Sequence, residues 1–133
     1  MIKPGSKLSD TNTIIRYLLN DDTRLSETAQ IFFEKVKNGE KKIVVLESVI
    51  SECIYVLLKI YNVPKNEAAE NLVKLLSYKG VANSDRKELI DALNLFAEKR
   101  LDIVDCILCA KSKSYKMPLF SFDRDLVRHS SSK

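Results

Sequence analysis

The sequence predicts an α/β fold of three layers (α/β/α), in which a short, mostly parallel sheet of about four strands is flanked by helices. Three observations carry this. Short β-branched runs alternate with segments whose apolar residues recur at helical spacing. Helical segments stand between successive strands, which demands crossover connections and hence parallel pairing. The run Ile43-Val44-Val45-Leu46 is apolar throughout, the signature of a strand buried on both faces.

Each element follows from local chemistry. A strand is expected before Asp10, shortened by Pro4 and Gly5. Asp10, Thr11 and Asn12 are all N-capping types, and Ile14, Ile15, Leu18 and Leu19 form the apolar face of a helix over 13–20. Asp21 and Asp22 break it. Thr23 or Ser26 caps a second helix, 27–37, which Asn38-Gly39 ends. After the Ile43–Leu46 strand comes the most apolar helix, 48–60, greasy nearly all round and therefore central. An amphipathic helix spans 66–78, and Gly80 ends it. Val81-Ala82 is a minimal edge strand. Ser84 or Asp85 caps a helix to Arg100, and Asp102 starts another that reaches about Tyr115. Pro118 to Phe122 reads as a strand. Asp123 then opens a short last helix through Leu126 and Val127, with a disordered tail from about residue 129.

With 133 residues, 45% of them hydrophobic, residues 1–133 read as a single domain. The net charge of +4 permits a nucleic-acid partner without describing a histone-like polycation. Three cysteines, an odd count, and no apolar leader lead to the expectation of a reduced, cytoplasmic setting. No run approaches the ~20 apolar residues that a membrane helix needs.

The chemistry lies in carboxylates. Taken singly, Asp10, Asp102 and Asp123 each precede a helical pattern and are explained as helix caps. Asp102 and Asp105 also have the spacing of a capping box, with Asp in place of Glu or Gln. Glu52 is different: it sits inside the most apolar helix with apolar neighbours on both sides, where an unpaired carboxylate is rare. Glu47, directly after the buried strand, is most simply a solvated first-turn residue. Asp10 and Asp123 follow two strands, and ligands of open parallel sheets bind beyond the carboxyl ends of strands. Asp10, Glu52, Asp105 and Asp123 can therefore project into one cleft. Four carboxylates together either protonate or recruit cations. Hard oxygen donors suit Mg²⁺ or Mn²⁺, one ion or two, and such a site fits phosphodiester hydrolysis by metal-activated water.

Other chemistries fit poorly. His129 is the only histidine and falls in the tail, and no phosphate-binding glycine motif is present. Cys106 and Cys109 lie three apart on a helix with apolar residues between them, which reads as core packing rather than a zinc pair. Tyr and Phe residues are mostly core, although Tyr17 and Tyr55 can line an interface.

The blocks Asp10-Thr11-Asn12 with IIRYLL, ESVISECIYVL, LDIVDCILCAKS and PLFSFDRDL occur in the order of a PIN domain, which this chain resembles from about Leu8 to Leu126. The resemblance is nearest to VapC-type toxins, the ribonucleases of toxin–antitoxin pairs. It implies a PIN-like fold and divalent-metal ligands at Asp10, Glu52, Asp105 and Asp123. It also implies orienting hydrogen-bond partners at Asn12 and Ser121, and supporting roles for Asp102 and Asp125. RNA must reach an acidic cleft, so Arg16, Lys111, Lys113 and Arg124 are the expected RNA-binding cations, with Lys116 and Arg128 beside them. An RNA substrate, a cognate antitoxin and a homodimer follow from the same resemblance. The first strand departs from the family's clean apolar run. Two other readings compete: a phospho-receiver-like signalling module, and a PIN-like domain that binds RNA or protein without turnover.

Overall fold

The computed structural model describes residues 5–20 and 23–131. The element order is β1 (Lys7–Leu8), α1 (Thr11–Leu19), α2 (Thr23–Lys37), β2 (Ile43–Val44), α3 (Glu47–Tyr55), α4 (Lys65–Leu76), α5 (Arg86–Glu98), α6 (Ile103–Ser114) and α7 (Arg124–Ser131). Helix α3 runs on into a π-helical turn, Val56–Ile60. Asn62, with φ 55°, then turns the chain into Val63 and Pro64. Pro4, Asp21 and Asp22 lie outside the described residues.

The sheet is parallel but smaller than expected, with two strands among the described residues rather than about four. β1 pairs with β2 in the register Lys7↔Ile43 and Leu8↔Val44. The expected edge strand at Val81-Ala82 reduces to one parallel bridge, Ile43↔Val81. Beyond it a side chain takes over the role of a strand. The Val45 N–H donates to Asn83 Oδ1 at 2.9 Å, and Asn83 Nδ2 donates to the Val45 carbonyl at 2.7 Å. β2 ends at Val44, and the polar groups of Val45 that follow are satisfied by an amide rather than by a ladder.

Pro118–Phe122 is the larger correction. It forms no strand, and Phe120 and Phe122 are 89% and 93% exposed. The two rings pack edge-on at 5.6 Å. Just before it, Met117 N–H donates to the Ser112 carbonyl at 3.0 Å and Ser112 Oγ to the Met117 carbonyl at 2.6 Å, which fastens the turn after α6. A short apolar run becomes a strand only where a neighbour offers a ladder, and the two residues of β1 offer little. The tail expected to be disordered from about 129 is instead helical to Ser131, with Ser130 buried.

The core forms around β2. Ile43, Val45, Ile50, Leu57, Leu72, Leu75, Leu89 and Leu93 are all fully buried there. Helices pack in sequence around it: α1 on α2 and α3, α4 on α5, α5 on α6, α6 on α7, with α3 also touching α6. Gly80 lets the chain pass between layers. Its N–H donates to the Val36 carbonyl at 2.7 Å, and an added Cβ would collide with the Lys41 and Val36 carbonyl oxygens. Among the described residues no helix is long and apolar enough to cross a membrane.

Candidate active site

β1 delivers the chain to Asp10, whose extended backbone (φ −88°, ψ 170°) caps α1. One carboxylate oxygen accepts the Thr13 N–H at 3.0 Å. Hydrogen bonding from Thr13 holds the Asp10 pKa below the usual carboxylate value. The next residue, Thr11, is buried beside the Cys53 thiol of α3. Burial pushes that thiol up to about 12, and the charges of Glu52 and Asp10 push in the same direction. Asp10 and Glu52 thus share the neighbourhood of one thiol.

Glu52 itself is exposed, not embedded among apolar neighbours as its sequence context suggests. Helix α3 and the π-helical turn that continues it bury Ile50, Cys53, Ile54 and Leu57, the i, i+3, i+4, i+7 face, and α3 turns Glu52 and Tyr55 outward. Its solvation therefore needs no partner.

The second group lies at α6 and α7. Asp102 stands at the N-cap of α6 with extended backbone but makes no side-chain capping bond. Asp105, half-buried in the first turn, has its pKa raised, first by burial and then by the charges of Asp102 and Asp123. Asp123 caps α7 by accepting the Leu126 N–H at 3.1 Å. Its own N–H donates to Ser121 Oγ at 3.0 Å, so Ser121 orients the turn that carries Asp123. Asp125 does not join them; it pairs with Arg128 at 2.7 Å on the surface. Asn12 is exposed on the first turn of α1.

The charges of Asp102 and Asp123 therefore act on Asp105, and those of Glu52 and Asp10 act on the Cys53 thiol. The α3–α6 contact joins the two halves. Among the described residues, no three His, Cys, Asp or Glu side chains close around one metal position. Asp10 with Glu52, and Asp105 with Asp123, are thus two half-sites of the expected set of four carboxylates. All the donors are hard oxygens, which fit Mg²⁺ or Mn²⁺ by chemistry. Asp105 is destabilised as an anion by burial and then by the charges of Asp102 and Asp123, which a bound cation would offset.

The expected RNA cations are placed unevenly. Lys111 is committed elsewhere: its Nζ bonds Glu47 at 2.5 Å and Asp85 at 3.1 Å. Burial acts to lower its pKa, yet the two carboxylates outweigh that and the net shift is upward. Glu47, expected as a freely solvated residue, is half of this pair. Lys113 and Arg124 are exposed, and Arg16 is half-buried. Cys53, Cys106 and Cys109 are buried free thiols. Tyr17 stacks on Phe33 at 4.6 Å and hydrogen-bonds Tyr78, so it belongs to the core, whereas Tyr55 is 61% exposed.

Sequence reasoning missed three cations that share a groove with Asp102. Lys59, Lys65 and Arg100 line a groove that includes Tyr55 and Asp102. They come from three separate segments, so linear spacing holds no trace of their meeting. Burial, and then Cys109, push the Cys106 thiol up to about 12, against the lowering effect of Lys65.

Comparison with known proteins bears on the same residues. The family model described as PIN domain matches residues 7–131. A VapC ribonuclease of Aquifex aeolicus (strain VF5) is 28% identical over 108 residues, covering 80% of this chain and 78% of that protein. No solved structure matches the chain.

Proposed function

This chain belongs to the PIN domain family, and from that premise we propose that it is a divalent-metal-dependent endoribonuclease, the toxin of a toxin–antitoxin pair. The single observation that carries this beyond the family is Asp105. It is a half-buried carboxylate held beside Asp102 and Asp123 with no Lys or Arg paired to it among the described residues. Glu47, by contrast, is paired to the Lys111 ammonium.

Asp10, Glu52, Asp105 and Asp123 would hold Mg²⁺ or Mn²⁺, one ion or two. When bound, the metal supplies a water of lowered pKa and a positive charge at the leaving oxygen. The chain's own contribution is positioning. Ser121 fixes the turn that presents Asp123, the Thr13 N–H fixes the Asp10 carboxylate, and packing of α3 on α6 sets the spacing of the half-sites. RNA phosphates are met by Arg16, Lys113 and Arg124, and Lys111 is withdrawn from that set by Glu47 and Asp85.

The VapC resemblance extends the reading to a cytoplasmic homodimer inhibited by a cognate antitoxin. The test is cleavage of RNA by the purified protein with Mg²⁺ or Mn²⁺. Activity should vanish in EDTA and in Asp105→Asn, while circular dichroism shows the fold retained. Equal cleavage by Asp105→Asn would remove this site from the reading.

A further inference from the structure

The groove beside Asp102 has a volume of about 470 Å³, within the ~300–1,000 Å³ of ordinary ligand sites. Its charged lining is Lys59, Lys65, Arg100 and Asp102, three cations to one acid. Asp102, one of the lining residues, acts through its charge on Asp105. Lys65 is held in place, donating to the Lys99 carbonyl at 2.7 Å with its ammonium 4.5 Å from the centre of the Phe96 ring. Tyr55 adds a 61%-exposed aromatic ring to the wall. Two other grooves are also basic, one lined by Lys37, Lys74 and Lys79 and one by Lys113 and Lys116, but neither touches a site acid.

We propose that the groove formed by Tyr55, Lys59, Lys65, Phe96 and Arg100 is the track on which single-stranded RNA enters the acidic site. This rests on the ribonuclease reading and names the residues that seat its substrate. A chain of phosphates suits three cations spread along one groove, and an exposed ring offers a base a stacking face without sequence choice. Single strands fit better than duplexes, because a base can reach Tyr55 only when unpaired. Asp102 ends the track: its charge repels the backbone from the wall and leaves Asp105 and Asp123 as the position where a cation must mediate contact.

The test compares Lys59→Glu/Arg100→Glu with Lys74→Glu/Lys79→Glu, which reverses two charges in the basic groove that touches no site acid. The probe is a short fluorescein-labelled single-stranded RNA of mixed sequence. Anisotropy is read in EDTA over a salt series, cleavage in Mn²⁺. The track predicts that Lys59→Glu/Arg100→Glu weakens binding at least ~10-fold and flattens the logarithmic salt slope by about 1.4, two phosphate contacts at ~0.7 each. The KM for cleavage rises in step while kcat stays within about twofold. Tyr55→Ala weakens binding and Tyr55→Phe restores it. Equal weakening by the control pair, or none by either pair, overturns the proposal. So does conversion of dimer to monomer by Lys59→Glu/Arg100→Glu with binding unchanged, which would make the groove a subunit interface. If the parent binds RNA through the groove but never cleaves it, the ribonuclease reading fails and the track stands.

Discussion

Glu47 with Asp85, just past β2, and Asp102 with Asp105 and Asp123, around the start of α6, are both gatherings of like charge, and the molecule treats them oppositely. The first pair shares the Lys111 ammonium, which arrives from α6 with three quarters of its side chain buried. Among the described residues no Lys or Arg pairs with Asp105, whose pKa is raised by burial and then by the charges of Asp102 and Asp123. The first cluster supplies its own counter-ion; the second is where the proposed function calls for a cation from outside.

The comparison breaks first at activity. Asp105→Asn should lower RNA cleavage about 10³-fold, the rate equivalent of the several kcal/mol that metal-assisted charge stabilisation supplies. Lys111→Met should leave cleavage far less affected but cost about 1–2 kcal/mol of stability, since it strands two partly exposed carboxylates together. Urea unfolding measures that loss. Asp10→Ala should cost about 1 kcal/mol through the lost cap of α1, while Asp10→Asn keeps the cap and loses activity. Near-normal stability with lost turnover would separate the two roles of that residue.

The smallest effect is the sharpest in sign. The folded-state pKa of Asp105 lies above its ordinary 3.8, so the fold favours the protonated form. Its ionisation therefore opposes folding as pH rises through and above the folded value, and that opposition is absent below 3.8. Without divalent ions, Asp105→Asn should raise the melting temperature at pH 7 and leave it unchanged in acid. Asp10 runs the other way: its folded pKa is depressed, so its contribution is present above 3.8 and is lost as pH falls through the folded value. Melting curves across pH, with both variants, read the two signs in one experiment.

Much of the helical frame was legible in the sequence because periodicity and caps are local. Asp10 caps α1, Asp123 caps α7, and the boundaries of α5 and α6 fall within a few residues of expectation. What was not legible depended on tertiary neighbours. Val81 meets Ile43 at a single bridge because the Asn83 side chain completes β2, an interaction no strand pattern encodes. Phe120 and Phe122 read as buried strand residues, yet they lie on the surface where no ladder partner is available. Glu52 looked buried because its helix is so apolar, and the facing of Ile50, Cys53, Ile54 and Leu57 put it in water. Lys111 looked like one more solvated lysine until Glu47 and Asp85, 64 and 26 residues away, converged on it.

The contrast between the two carboxylate clusters is tested most directly by calorimetric titration of the metal-free protein with Mn²⁺. The account predicts saturable binding in the parent and in Lys111→Met, and its loss in Asp105→Asn. A folded parent that takes up no Mn²⁺, or an Asp105→Asn variant that binds it as tightly, would contradict it.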